Sequence, residues 1–346
     1  MQDEFSVPAV IGKGKFEAAV VAARIISLAE IVQIPGFTEL TSEQMYRVAH
    51  TPVNLQWVSR PVYWMQRGRS AEWLRGVHPD YRADQVQLEN QVRTDLYHRV
   101  ATAAAGDARL LDQLDVGGYS MVSGIPKLLE LLDEGGGPLH VPDSPVVDTG
   151  PWRAITASPD PNERAQLAVS LWNPDFLALI PGFAKALRTR LRDVRVCDWD
   201  QEGAALLYFV EAADGDIVVW VGWEPRLSVE PRPPFWATLP SAARRFLSEV
   251  HAGFTMLDGE SFGLAQPSYM STFAAWAGWP ADIPDWDRDD VLASTSMLWL
   301  TGNGGDTALC TSPNLAVGEV AVLFEGDFSV SELGPELDRL MLSPLS

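Results

Sequence analysis

A serine set between two glycines is the first place in this chain where residue types and spacing suggest chemistry. Gly259-Glu260-Ser261-Phe262-Gly263 has the G-x-S-x-G spacing of a nucleophile elbow, whose sharp strand-to-helix turn presents a serine hydroxyl to a histidine base. That elbow needs a strand before Ser261, a helix after it and a histidine later in the chain. Pro267 opposes the helix, and all five histidines (His50, His78, His98, His140 and His251) precede the serine. Ser261 therefore reads as a loop serine. Hydrolysis through it stands as a third reading, and no residue is assigned as catalytic.

The other constellations lack essential parts. Asp285-x-Asp287-x-Asp289 opens like a calcium loop, but its sixth and twelfth positions hold Asp290 and Ser296 where glycine and glutamate belong. A solvated acidic loop is expected there. Gly302-Asn303-Gly304-Gly305 and Gly12-Lys13-Gly14-Lys15 lack the Gly-Lys-Ser/Thr ending of a phosphate loop, and no HExxH spacing occurs. Cys197 and Cys310 lie far apart without a CxxC pair, which suits a reducing compartment. No metal and no cofactor are expected. His251 falls at a helix end, where a protonated imidazole would favour the C-terminal carbonyls. Trp286, set among aspartates, reads either as a core anchor for its loop or as an exposed interface aromatic.

The elements that must carry these residues divide into two textures. Residues 1–200 read as mainly helical. Phe16 to Ile34 is an Ala/Val/Ile-rich helix ended by Pro35-Gly36, and Thr41-Ser42-Glu43-Gln44 has the spacing of a capping box. Asp84 to Ala105 carries a stripe of Val86, Val92, Leu96 and Val100, and Asn162–Leu171 and Asp175–Arg192 return to helix. Leu110–Leu114 and Ile125–Leu132 are shorter helical pieces, followed by a glycine- and proline-broken connector.

Residues 201–346 read as α+β. Ala204–Glu211 and Asp216–Trp223 form a hairpin through Ala213-Asp214-Gly215. Leu239–Phe254 is a helix with Pro240 at its start and Gly253 at its stop, carrying Ala243, Phe246, Leu247 and Val250 on one face. Strands are expected at Met297–Thr301, Thr307–Cys310 and Val317–Phe324, under which that helix should pack, and Ser331–Leu342 closes as an amphipathic helix. The expected organisation is a helical region over 1–200 and an α+β domain over 201–346.

Charge separates the same two regions. Of the 346 residues, 1–200 hold 20 Lys+Arg against 25 Asp+Glu, whereas 201–346 hold 6 against 21. A net charge of −20 disfavours nucleic acid, whose phosphates need basic side chains, and suits a basic protein partner. The acidic opening Met1-Gln2-Asp3-Glu4 is unlike a signal peptide, and Arg24 and Glu30 interrupt the one long apolar run. A cytoplasmic protein without membrane contact is expected.

Leu239-Pro240 followed by a Phe246-Leu247 helix and Gly253-Phe254 resembles the opening of the SUKH superfamily, the Smi1/Knr4-like proteins. Leu298-Trp299-Leu300-Thr301-Gly302-Asn303-Gly304-Gly305-Asp306 is similar to that family's strand, glycine turn and acidic residue. Glu319–Phe324, and Phe328-Ser329 with the Leu333–Leu340 helix, resemble its following strand and closing segment. The resemblance covers roughly residues 204–342. It implies an antiparallel SUKH-like sheet with flanking helices and a non-enzymatic task. Many bacterial members resemble immunity proteins that neutralise a cognate toxin, often a nuclease, and eukaryotic relatives look like regulatory or scaffolding modules. The first reading is thus an immunity-type protein whose acidic face, Asp258, Glu260, Asp285, Trp286, Asp287, Asp289 and Asp290, covers a basic toxin domain. The second is a scaffold that binds an intracellular partner through the helical region.

Overall fold

The computed structural model describes residues 20–66, 70, 79–104, 125, 129, 139–140, 152–199, 203–225, 232–284, 286, 292–304, 307–324 and 327–346. The expected helix from Phe16 to Ile34 does not form over its described part. Val20–Arg24 is instead a strand, β1, and only Leu28–Ile31 is helical, α1. The β-branched Val20-Val21 pair suits a pleated strand. Ser27 then starts the helix afresh, its hydroxyl accepting the Glu30 N–H. Helix α2, Ser42–Ala49, carries both halves of the expected capping box between Thr41 and Gln44.

Strand β2, Leu55–Ser59, pairs antiparallel with β1 and runs into α3, Arg60–Gln66. Helix α4, Pro79–Ala104, buries Val92, Leu96 and Val100 of its expected stripe against Ile26, Ile31, Phe37 and Val48. These residues form a core of their own, while Val86, the stripe's first residue, is half-buried outside it.

The second body of structure begins with β3, Leu139–His140, and the helices α5, Arg153–Ala157, and α6, Pro161–Ser170. The expected helix over Asp175–Arg192 is split into α7, Pro174–Leu179, and α8, Pro181–Arg190. Pro181 has no N–H to continue a helix and is well placed to open one. Then come β4, Leu191–Trp199; β5, Gly203–Glu211; and β6, Ile217–Trp223. Helix α9, Ser241–Arg245, continues as a π-turn over Phe246–Val250 and leads to β7, Phe254–Met256. After α10, Phe273–Trp276, four strands follow: β8, Leu298–Gly302; β9, Thr307–Thr311; β10, Glu319–Phe324; and β11, Asp327–Glu332. Helix α11, Leu333–Leu342, packs back on α7 and α8.

The described chain is mixed α+β with three antiparallel sheets: β1-β2, β3-β4-β5-β6-β7 and β11-β10-β9-β8. The boundary anticipated at residue 200 runs through the five-stranded sheet, because β4 pairs with β5 along its length. One hydrophobic core joins residues from Val58 and Trp152 to Leu345. The helix at 239–250 buries the face predicted for it. Its ring contacts run to Trp172, Phe176 and Phe254, on the side of the five-stranded sheet, and it shares one core with the strands at 298–323. Phe246 stacks on Phe176 with ring centroids 4.0 Å apart.

Candidate functional site

The loop after β7 carries Asp258, Glu260 and Ser261, and its first task is to hold its own shape. Asp258 is exposed, yet Oδ1 accepts the N–H groups of Glu260 and Ser261 at 2.9 Å, and Oδ2 accepts the Ser261 hydroxyl at 2.5 Å. The Ser261 carbonyl accepts the Met256 N–H, and the next N–H, of Phe262, donates to Gly302, so the loop bridges the two large sheets. The glycines of the G-x-S-x-G pattern answer to backbone geometry. Gly259 sits at φ +77°, and a Cβ on Gly263 would lie 1.9 Å from the Phe254 carbonyl oxygen. No helix follows directly: the next is α10, starting at Phe273. Ser261 is buried and bonds to a carboxylate, so a nucleophile elbow is not assembled here.

Glu260 is not the free surface acid expected of it. Its carboxylate lies 2.5 Å from the Arg60 guanidinium, with the two side chains 17 % and 11 % exposed. Arg60 also donates to the Trp276 carbonyl at 3.3 Å, and its guanidinium carbon sits 4.3 Å from the Trp276 ring centroid. Trp279 completes the joint by donating its indole N–H to the Pro61 carbonyl at 3.0 Å. Burial pushes the Glu260 carboxyl above its usual range, against the opposing pull of Arg60. The start of α3 is thereby fastened to the loop after β7 and to α10.

His251 does not cap a helix as a cation. It is fully buried, with Nε2 accepting the Tyr208 hydroxyl at 2.8 Å. The Trp223 carbonyl, 3.4 Å from Nδ1, can only accept, which places the ring proton on Nδ1 and leaves Nε2 to accept. The Tyr208 oxygen accepts in turn from the Trp172 indole at 3.2 Å. Burial lowers the imidazole pKa to about 3, so the ring is neutral and both nitrogens are occupied. This closed relay keeps a polar group in a core of aromatic rings and occupies both nitrogens of His251.

Trp286 settles as the anchor of its loop. It is 7 % exposed, donates to the Leu292 carbonyl at 2.9 Å and packs 5.4 Å from Phe273. Of its two expected roles, this is the core anchor. Asp285, Asp287, Asp289 and Asp290 lie outside the described residues. Among the described residues no group of three or more His, Cys, Asp or Glu side chains is arranged to hold a metal. Both cysteines are free and buried, and burial raises each thiol pKa, which keeps them protonated and inert.

The described surface offers one further feature that the sequence reading passed over. Among the described residues strand β11 is an edge of its sheet, and all of its residues but Ser331 are exposed. Phe328 and Val330 stand opposite the buried Leu323 and Ala321 of β10, yet are themselves 39 % and 49 % exposed. The signal was the period-two run Phe328-Ser329-Val330-Ser331, read only as the approach to a helix. At its far end β11 meets a cleft of about 1170 Å3 bordered by Val317, Glu319, Glu332, Pro335, Asp338 and Leu342. Asp338 is engaged there, accepting the Gly182 and Phe183 N–H groups at the start of α8. Asp327 and Glu332 make no ion pair among the described residues.

Comparisons with protein-family models, curated proteins and solved structures gave no match. Among the described residues no helix is long and apolar enough to cross a membrane.

Proposed function

We propose that this chain is a non-enzymatic protein-binding module of the SUKH immunity type, acting in the cytoplasm on a basic toxin domain. The observation that carries the reading is the charge division, with 6 basic against 21 acidic residues over 201–346. Such a field steers a cationic partner and rejects nucleic acid. Asp258, with Asp285, Asp287, Asp289 and Asp290, belongs to that field. Glu260 contributes mainly to the joint with Arg60. The state of Ser261 and His251 lends no support to hydrolysis.

The test is co-expression with basic secreted toxin domains, scoring rescue of growth, and binding of a rescued toxin at two salt concentrations. Rescue with association that slows as salt rises supports the reading. Rescue without any salt dependence would count against the acidic face, and failure with every basic toxin against the function. A scaffolding role through residues 1–200 is the second reading. It is favoured by Trp57 and Leu55 lying exposed on one face of β2, beside Arg24, which donates to His50, itself stacked on exposed Tyr46.

A further inference from the structure

We infer that the edge of β11, which no described strand covers, is the docking strand for that partner, which adds an extended, basic segment to the four-stranded sheet. The inference rests on the protein-binding reading and names the surface and the chemistry of its occupant. An edge strand leaves alternate N–H and C=O groups unpaired, and folded proteins usually blunt such edges with charged side chains, proline or a bulge. Residues 327–332 hold no proline and no bulge, and the charges of Asp-Phe-Ser-Val-Ser-Glu stand only at its two ends, both acidic and so open to a basic partner; the strand pairs with β10 in unbroken register.

The side chains say what would pair with it. Phe328 and Val330 continue, toward the edge, the face on which Leu323 and Ala321 are buried. An added strand would complete that face with apolar residues at every second position. Asp327 and Glu332, unpaired among the described residues, mark the two ends, and Glu319 stands opposite Glu332 on β10. Lysine or arginine is therefore wanted at the ends of the incoming segment. Beyond Glu332 the surface runs into the cleft, whose rim residue Val317 is 70 % exposed, giving the segment's end an apolar seat. A second copy of this chain is disfavoured as occupant, because it would bring another strongly acidic region against the same acidic edge. Backbone pairing plus alternate side-chain contacts is the general mode of strand addition.

The probe is a synthetic hexapeptide, acetyl-Lys-Thr-Phe-Thr-Val-Lys-amide, which paired antiparallel sets lysine opposite Glu332 and Asp327 and apolar residues opposite Val330 and Phe328, added to the full chain. Its controls are a peptide of the same composition with the apolar residues in one block, and one with glutamate for lysine. Binding is followed by fluorescence anisotropy, and backbone amide exchange is read over residues 327–332. The alternating peptide should slow exchange there and bind at least about tenfold more tightly than the block control, with no binding of the glutamate peptide. The exposed double variant Phe328→Ser/Val330→Ser should lose about the same factor with an unchanged thermal midpoint, and Asp327→Asn/Glu332→Gln should flatten the salt dependence. Binding without protection at 327–332 overturns the edge assignment and leaves the basic-partner reading intact. Absence of binding by either lysine peptide at low salt overturns both. Protection that rises with protein concentration alone, and dimer formation abolished by the Phe328→Ser/Val330→Ser double variant, would assign the edge to a second copy and overturn the inference.

Discussion

Arg60→Met is the substitution whose cost follows most directly from the geometry. It keeps the aliphatic stem of Arg60 but removes the cation from a carboxylate only 17 % exposed and 2.5 Å away. Breaking a buried pair from one side leaves the other charge uncompensated, which costs about 3–5 kcal/mol. Loss of the guanidinium from the Trp276 face and from its carbonyl acceptor adds about 1 kcal/mol. An expected loss of about 4 kcal/mol at pH 7 allows for the remaining exposure. Adding Glu260→Gln should return about 2 kcal/mol, because it removes the stranded charge.

The pH dependence has a definite sign. Burial raises the Glu260 pKa above its unfolded value of 4.5, so protonation favours the folded state. That contribution is complete below the unfolded value and is lost as pH rises through the folded one. Without Arg60 the folded pKa climbs further, so Arg60→Met should hurt most at neutral pH and progressively less on the acid side. Urea unfolding of the four proteins of this double-mutant cycle, at neutral pH and near pH 5, measures each term. A loss below about 1 kcal/mol at pH 7 would place the pair among ordinary surface ion pairs. A loss independent of pH would remove Glu260 from the explanation altogether.

Four further outcomes are expected. Because burial lowers the His251 pKa to about 3, the stability held by its neutral ring is complete above the unfolded value of 6.5 and is lost as pH falls toward the folded one. This amounts to about 3 kcal/mol by pH 4, and His251→Gln should abolish that slope in unfolding titrations. Gly222→Ala would put a Cβ 2.6 Å from the His251 ring and should destabilise by about 1–3 kcal/mol, read as a lower urea midpoint. Asp338→Ala uncovers the Gly182 and Phe183 N–H groups at the start of α8 and should cost about 1–2 kcal/mol by the same measurement. Ser261→Ala should leave any ester or peptide hydrolysis in a broad substrate screen unchanged; activity that vanished with the hydroxyl would reinstate the serine chemistry.

Local signals with a single physical cause were legible in the residues. The Thr41–Gln44 capping box, three of the four residues of the Val86-Val92-Leu96-Val100 stripe and the 204–223 hairpin form as their spacing requires. The failures come from competition between local and distant partners. Residues 20–24 have apolar content that fits either state, and pairing with β2 decides for strand. Strand β4 was hidden because Leu191–Trp199 alternates charged with apolar residues and follows helices directly; its partner β5 reveals it. The candidate site was less legible still. The carboxylate of Glu260 looks like that of Asp258 in the sequence, and only Arg60, 200 positions away, makes one a buried pair and the other an exposed turn former. A tryptophan among aspartates likewise gives no hint of the Leu292 carbonyl that buries it.

The separation between Arg60 and Glu260 also sets a timetable. A chain made from its N-terminus exposes Arg60 long before its counterion exists. At about 5–20 residues per second the interval of 200 residues lasts roughly 10–40 s. Throughout it, the Pro61 carbonyl waits for Trp279 as well. Residues 26–100 can close their own core in that time, but the segment at 58–63 has no finished surface to lie on. Its seating must follow synthesis of α10, so a ribosome-stalled chain ending before residue 260 should leave this segment open to protease while the helix at 79–104 is already protected.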